Sequence, residues 1–206
     1  MAAIGGTRRL AAIGGIAGPV TFVSAWAALG AGAGGYDPTR DAISRLAALG
    51  APTRPAMTAG LLALAAGMGL YGFALRGPDP PPRSLGRSGP AWLLPVANGV
   101  ATLAVAALPL GGRSDWAHGV AAGLGYVTLA AIPAVVGRRP LPVAIGLVSA
   151  LCLLLTVLAD DRDGLFQRLG LTVAQAWVVV SAARLVRSPR PSSTTPPVRA
   201  RAGRRR

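Results

Sequence analysis

The chain has 206 residues, of which 52% are hydrophobic and 14% are charged, against the roughly 25% of charged residues usual in soluble domains. Its formal net charge is +14, and the 21 basic residues are all Arg while the 7 acidic residues are all Asp. The composition excludes a soluble globular fold. Because the charged residues are scattered between long apolar runs, the positive charge does not indicate a nucleic-acid-binding surface. With no Lys, one Cys and one His, the sequence also excludes a Schiff-base lysine, an intramolecular disulfide and Cys- or His-rich metal and haem sites, and we expect no cofactor.

Six runs without Asp or Arg predict transmembrane helices. A bilayer core of about 30 Å requires about 20 helical residues. Five runs reach that length, and the sixth does so if Arg168 and Arg184 extend their charged ends toward the bilayer surface. The predicted spans are 10–36, 55–75, 88–112, 116–137, 140–159 and 165–186. The predicted fold is an all-α polytopic membrane protein whose six helices form three hairpins within residues 10–186.

The first run begins close to the N-terminus. It follows Arg8 and Arg9 and resembles a secretory signal, but it is longer than a typical signal core and five more spans follow. We therefore interpret it as an uncleaved helix after a short N-terminal segment, 1–9. Glycines four residues apart, at 14 and 18 and again at 119 and 123, predict close internal helix packing, with oligomerisation as the lesser alternative.

Arg content differs between alternate connections and predicts the orientation. The two terminal segments and the connections after the second and fourth spans hold 15 Arg, whereas the other connections hold 6 Arg and 6 of the 7 Asp. Positive charge favours the cytoplasmic side. We expect a multi-pass protein of the cell (plasma) membrane with both termini in the cytoplasm. The basic tail 187–206 is predicted to be disordered, and to act as a topology anchor or to bind anionic inner-leaflet lipids.

The connection after the first span is the longest of the outer connections. Asp37 followed by Pro38 is typical of a helix start. Ile43 and Leu46 then share one face, which predicts a short amphipathic helix over about 38–49 on the outer surface of the membrane. Within it, Asp41 and Arg45 are four residues apart, which is the spacing of a helical ion pair.

The other two outer connections carry helix caps and further polar side chains. Ser114 or Asp115 is predicted to cap the fourth helix and Asp163 the sixth, while His118 falls in the first turn of the fourth helix. Together the three connections form a candidate outer-face polar site. Its members are Asp37, Asp41, Ser44, Arg45, Asp115, His118, Asp160, Asp163, Gln167 and Arg168.

Two interpretations of this outer polar group remain open. The residues could converge on a pocket in which an Asp–His pair transfers protons or several Asp residues hold a cation. Alternatively, they cap helices and solvate connections, which we favour because the ends of a membrane bundle must be polar. Within the spans only Asn98 and Gln175 stand out, and a buried amide more often joins two helices than binds a substrate.

Two motifs resemble a known family. Tyr36-Asp37-Pro38-x-x-Asp41-x-Ile43-Ser44-x-Leu46, a His near the start of the fourth span, and Gly164-Leu165-x-Gln167-Arg168 before the sixth are similar to the bacterial and archaeal membrane family of domain of unknown function 998. The resemblance covers about residues 10–186. It implies a six-helix membrane protein and no particular activity.

Function is therefore predicted only in outline. A non-enzymatic membrane component with a polar outer-face pocket is our first expectation. A small-molecule or lipid transporter or facilitator is the alternative, although ion-coupled carriers usually hold ionisable groups inside the membrane and the first five runs contain none at mid-depth. An intramembrane enzyme is the third possibility. Composition and spacing indicate neither a substrate nor an oligomeric state.

Overall fold

The computed structural model describes residues 2–76, 89–112, 115–137, 139–159 and 161–187. Within these ranges the chain is all-helical, as the sequence predicts. The candidate residue Asp160, most of the connection between the second and third spans, and the tail from residue 188 lie outside the described residues. The six long helices are α1 (Ala2–Gly32), α2 (Arg54–Leu75), α3 (Leu93–Ala107), α4 (Asp115–Gly137), α5 (Pro140–Leu158) and α6 (Asp163–Arg187).

Six helices in the described ranges are long and apolar enough to cross a membrane, which confirms the six predicted spans. Some bounds differ from the prediction. The first helix begins before the charged pair at residues 8–9, and the third span enters through a short 3-10 helix, Gly89–Trp92, and ends at Ala107. Helix α6 begins at Asp163, so Arg168 lies inside the helix.

Five of the helices form a closed ring. Each of α1 to α3 packs against the next helix, α4 packs against α6, and α6 packs against α1. Helix α5 packs on the outside of this ring, against α4 and α6, and Leu147, Leu151 and Leu154 on its outer side are exposed, as lipid-facing residues are. Because α2 also packs extensively against α3, the grouping into three hairpins stays a prediction.

Glycines bring α1 and α2 into close contact. A methyl group added at Gly67 would lie 2.5 Å from the backbone oxygen of Gly14 and 2.8 Å from the Cα of Gly18, so the two backbones touch. This confirms internal packing for the first predicted glycine pair. Internal packing was the wrong prediction for Gly119 and Gly123, since an added methyl at either would meet no described residue within 4 Å.

The segment between α1 and α2, residues 33–53, is called here the first connection. Its helical part is a five-residue 3-10 helix, Ile43–Ala47. The prediction of a longer amphipathic helix over 38–49 was therefore wrong. Before residue 43, side chains take up backbone N–H groups and favour a turn over a helix. Asp37 Oδ1 accepts the N–H of Thr39 at 2.8 Å, and Asp41 Oδ2 accepts the N–H of Asp37 at 2.8 Å. The predicted Asp41–Arg45 ion pair is present.

The first connection is also buried differently from an interfacial helix. Ile43 and Leu46 are 4% and 2% exposed, because they pack into the end of the helical ring instead of lying on its surface. Leu49 N–H bonds the Leu110 carbonyl at 2.9 Å, and Leu165 N–H bonds the Thr39 carbonyl at 2.9 Å. The connections that follow α1 and α3 and the first turn of α6 therefore meet at one end of the bundle, called here the connection end.

Candidate ligand-binding cavity

A partly open cavity of about 70 Å³ lies between the helices of the ring, toward the connection end. One water molecule requires about 10–15 Å³ on the same measure, so the space holds several water-sized groups. All of its lining residues on α2 and α6 belong to the half of the helix nearer the connection end, and α5 contributes none. The lining is Phe22, Ile43, Ser44, Ala47, Met57, Leu61, Leu64, Asn98, Thr102, Val105, His118, Ala122, Gly125, Tyr126, Leu129, Gln167, Leu171 and Gln175. We call this space the central cavity.

The 3-10 helix of the first connection covers one side of the central cavity with Ile43, Ser44 and Ala47. Gln167 of α6 fixes this cover, because its Oε1 accepts the Ile43 backbone N–H at 2.7 Å. The hydroxyl of Thr53 donates to the Leu46 carbonyl at 2.7 Å and holds the far end of the same helix. Side chains on both sides therefore hold the cover through hydrogen bonds to its backbone.

Helix α4 presents two polar groups to the central cavity. Tyr126 accepts a hydrogen bond at its hydroxyl from Nε2 of Gln167, which links α4 to α6. His118 is 5% exposed, and its Nδ1 lies 2.6 Å from the Leu108 carbonyl oxygen. Because a carbonyl only accepts, Nδ1 carries the hydrogen, and Nε2 is the acceptor in the neutral ring.

Two amide side chains reach the deeper part of the central cavity. Asn98 is 3% exposed and donates from Nδ2 to the Gly125 carbonyl at 2.7 Å, which orients its amide and joins α3 to α4 as the sequence predicts. Its Oδ1 is buried without a hydrogen-bond partner among the described residues. Gln175 is 1% exposed, and within the same ranges neither amide atom has a partner. Buried polar atoms without partners are rare and call for an explanation.

The prediction that Arg168 extends toward the bilayer surface was wrong. The residue is buried within the bundle and is 7% exposed. Its Nη1 lies 2.6 Å from the carbonyl oxygen of Pro38, 2.8 Å from that of Gly164 and 2.9 Å from that of Asp41, and its Nη2 donates to the Tyr36 hydroxyl. Backbone dipoles thus compensate the guanidinium charge. The residue clamps the first connection onto α6 and is not part of the cavity lining.

Most of the predicted acids lie outside the central cavity. Asp37 is exposed, and the Thr39 hydroxyl hydrogen bond lowers its carboxyl pKa, while the Asp37 backbone N–H does the same for the pKa of Asp41. Asp115 Oδ1 accepts the Gly111 N–H at 2.9 Å, and Asp163 Oδ1 accepts the Gly164 N–H at 2.9 Å at the first turn of α6. These carboxylates serve turns and helix starts.

The predicted Asp–His pair is not formed by Asp115 and His118, which bond different backbone groups. In the part of the chain that the structure describes, no three His, Cys or Asp side chains come together in a metal-binding arrangement. The proton-transfer and cation-binding versions of the outer pocket therefore find no support in the described geometry.

The lining of the central cavity combines two groups of residues that were predicted at different places. Ser44, His118 and Gln167 were predicted at the outer connections, and Asn98 and Gln175 inside the membrane, yet all five line the central cavity. Sequence reasoning missed two polar lining residues, Tyr126 and Thr102. The available signal was helical spacing, because Tyr126 follows His118 by eight residues, and Thr102 follows Asn98 by four, so each pair shares a face.

The two motifs singled out in the sequence meet in space at the connection end. Besides the Gln167 and Arg168 contacts, an added methyl at Gly164 would lie 2.6 Å from the Asp41 backbone oxygen. The family model for the protein of unknown function DUF998 matches residues 16–184. The chain belongs to the DUF998 family. No curated protein and no solved structure matches this DUF998 protein.

Proposed function

We propose that this DUF998 protein is a non-enzymatic membrane component that binds a small molecule in the central cavity. The observation that carries the proposal is the buried Gln175 amide, which lines the cavity and has no hydrogen-bond partner among the described residues. Ligand sites in proteins are typically concave and mostly apolar, with a few placed polar groups. A cavity with leucine walls and amides from α3 and α6 matches that description.

Binding without chemistry is favoured by the surroundings of the titratable groups. Catalysis by proton transfer requires an acid or base within hydrogen-bond reach of the reacting atoms and oriented by a partner. The Asp115 carboxylate is engaged by the Gly111 backbone, and His118 is oriented by the Leu108 carbonyl. The described lining contains no carboxylate that could act with the histidine.

Transport is the second candidate, and the packing beyond the central cavity weighs against it. On the side away from the connection end, Met68, Tyr71 and Ile132 fill the interior and are 0% exposed. The Tyr71 hydroxyl lies 2.6 Å from Ser181 Oγ, so α2 and α6 are joined there. A carrier would have to separate these side chains in every cycle, whereas a binding protein keeps them packed.

The orientation is proposed from charge. The excess of Arg at both termini supports cytoplasmic ends and an extracytoplasmic connection end in the cell membrane. A reporter enzyme that is active only outside the cytoplasm is expected to be inactive when fused after Arg206 and active when fused after Gly50. The opposite pattern would overturn the orientation.

The binding function is tested by filling the cavity. Ala122 lines the central cavity on α4, and Ala122→Phe places a ring in it; Ala150 is exposed on α5, so Ala150→Phe is the matched control. Small molecules extracted from purified protein are compared by mass spectrometry. A compound recovered from the wild type and from Ala150→Phe, but lost from Ala122→Phe, supports the proposal, whereas identical extracts from all three contradict it. Flux of the recovered compound across proteoliposomes would favour the transporter instead.

A further inference from the structure

We infer that the ligand of the central cavity is an uncharged amphipathic molecule whose head group donates hydrogen bonds, in practice a hydroxyl or a primary carboxamide. The inference rests on the proposed function and names the chemical class of its ligand. It follows from three properties of the lining: its charge, its unpaired amide atoms and its apolar walls.

The described lining of the central cavity contains neither Asp nor Arg. The nearby guanidinium of Arg168 is directed to the carbonyl oxygens of Pro38 and Gly164 instead. An ion buried in such surroundings loses its hydration without gaining a counter-charge, which is strongly unfavourable. Ammonium, carboxylate and phosphate head groups are therefore poor ligands here.

The amide atoms determine what an uncharged head group must offer. Asn98 Oδ1 and Gln175 Oε1 are acceptors without partners, and Gln175 Nε2 is a donor without one, within the described part of the chain. The Asn98 assignment is fixed by its Nδ2, which already donates to the Gly125 carbonyl at 2.7 Å. Because an acceptor can be satisfied only by a donor, a ligand that pairs the two amide oxygens has to donate hydrogen bonds.

Few uncharged head groups satisfy that requirement. Hydroxyl and primary carboxamide groups both donate and accept, whereas ethers, esters and ketones only accept. A ligand of the second kind would leave both amide oxygens buried and unpaired, and this penalty is larger than the gain from an ordinary hydrogen bond. The amide pair thus discriminates between molecules of the same size and apolarity.

The remaining walls accommodate the apolar part of the ligand. Leu61 and Leu64 from α2, Leu129 from α4 and Leu171 from α6 surround the cavity. At about 70 Å³, it has room for roughly five water-sized groups, which corresponds to a head group with a short chain and not to a whole phospholipid.

The test is photolabelling of purified protein with a diazirine-bearing short-chain alkanol, followed by mass-spectrometric mapping of the labelled residues. Hexanol and hexanamide are expected to compete, while dipropyl ether and hexylamine require roughly tenfold higher concentration. Gln175→Leu removes no hydrogen bond to a described protein group, so the variant is expected to fold and to lose roughly tenfold in labelling. The control is Ser149→Ala, a buried serine that bonds the Gly170 carbonyl outside the cavity and whose loss is expected to leave labelling unchanged.

The outcomes separate this inference from the proposed function. In one outcome the label is on lining residues, the ether and the amine compete as well as hexanol does, and Gln175→Leu is labelled like the wild type. This outcome overturns the head-group assignment but leaves the cavity as a binding site. Label that misses the lining residues, or that persists there in Ala122→Phe, overturns the proposed binding function too. Selective competition together with a loss in Gln175→Leu supports both.

Discussion

Gln167 Oε1 accepts a hydrogen bond of 2.7 Å from the backbone N–H of Ile43, and this contact attaches the cover of the central cavity to α6. Gln175 lies two turns further along the same helix, lines the same cavity and bonds no described protein group. Two glutamines of one helix thus have opposite relationships to the fold. One positions the first connection, and the other is the residue that we propose to contact a ligand.

This contrast predicts that the same substitution destabilises the fold at one glutamine and not at the other. Gln167→Leu leaves the Ile43 N–H buried and unpaired, so we expect the free energy of unfolding to fall by about 2–3 kcal/mol. Gln175→Leu replaces an amide without described partners by an apolar side chain and is expected to be neutral or stabilising. Denaturant unfolding in detergent micelles measures both. Equal losses in the two variants would contradict the assigned roles.

The sequence predicted the spans better than the site for a physical reason. Charge-free length alone identifies a membrane helix, and all six such runs are helices in the structure. Which face of each helix turns inward depends on rotation about its axis, and these nearly uniform apolar segments carry little periodic signal for it. Hence Asn98 and Gln175 were recognised as unusual but were not connected with Ser44, His118 and Gln167.

The first connection shows a second limit of sequence reasoning. Arg168 was expected at the bilayer surface because a charged side chain is costly inside a bundle, but three backbone oxygens compensate it. Two of those oxygens, from Pro38 and Asp41, belong to a turn whose shape depends on Asp37 and Asp41 bonding nearby backbone N–H groups, and the third belongs to the first turn of α6. Such turns leave little trace in hydrophobic patterning, and the same feature made the predicted 38–49 helix wrong.

Arg168→Met is expected to loosen the first connection. The substitution removes the charge-assisted hydrogen bonds to the Pro38 carbonyl and its neighbours, each worth about 1.5–3 kcal/mol. Arg40 and Arg45 are exposed in this connection, so trypsin reports its opening, and we expect initial cleavage there to accelerate at least roughly tenfold. Arg162→Met, at an exposed position before α6, is the control and should cleave like the wild type. An unchanged rate in Arg168→Met would show that the clamp is dispensable.

Gly67→Ala is expected to weaken the contact between α1 and α2. The added methyl would lie 2.5 Å from the Gly14 backbone oxygen, which the two helices can relieve only by moving apart. Overpacking of this kind costs about 1–3 kcal/mol in unfolding free energy. Gly123→Ala is the matched control, because its methyl meets nothing within 4 Å, and we expect a change within about 0.5 kcal/mol. If both variants unfold at the same denaturant concentration, the close α1–α2 approach is not present in solution.

Acid is expected to loosen the first connection through its two carboxylates. The Asp37 backbone N–H, at 2.8 Å, lowers the pKa of Asp41, and the Thr39 hydroxyl, at 2.7 Å, lowers that of Asp37. Both folded-state pKa values lie below the value of about 3.9 in an unfolded chain. The ionised carboxylates therefore stabilise the fold above about pH 4, and their contribution is lost as the pH falls through the folded pKa.

Amide hydrogen exchange measures this effect. Over residues 37–47, and corrected for its intrinsic pH dependence, exchange is expected to accelerate between about pH 6 and about pH 3. Asp41→Asn keeps an acceptor for the Asp37 N–H but cannot titrate, so it should show a smaller acceleration, with Asp37 supplying the rest. An acceleration equal to that of the wild type would mean that Asp41 does not couple pH to this connection.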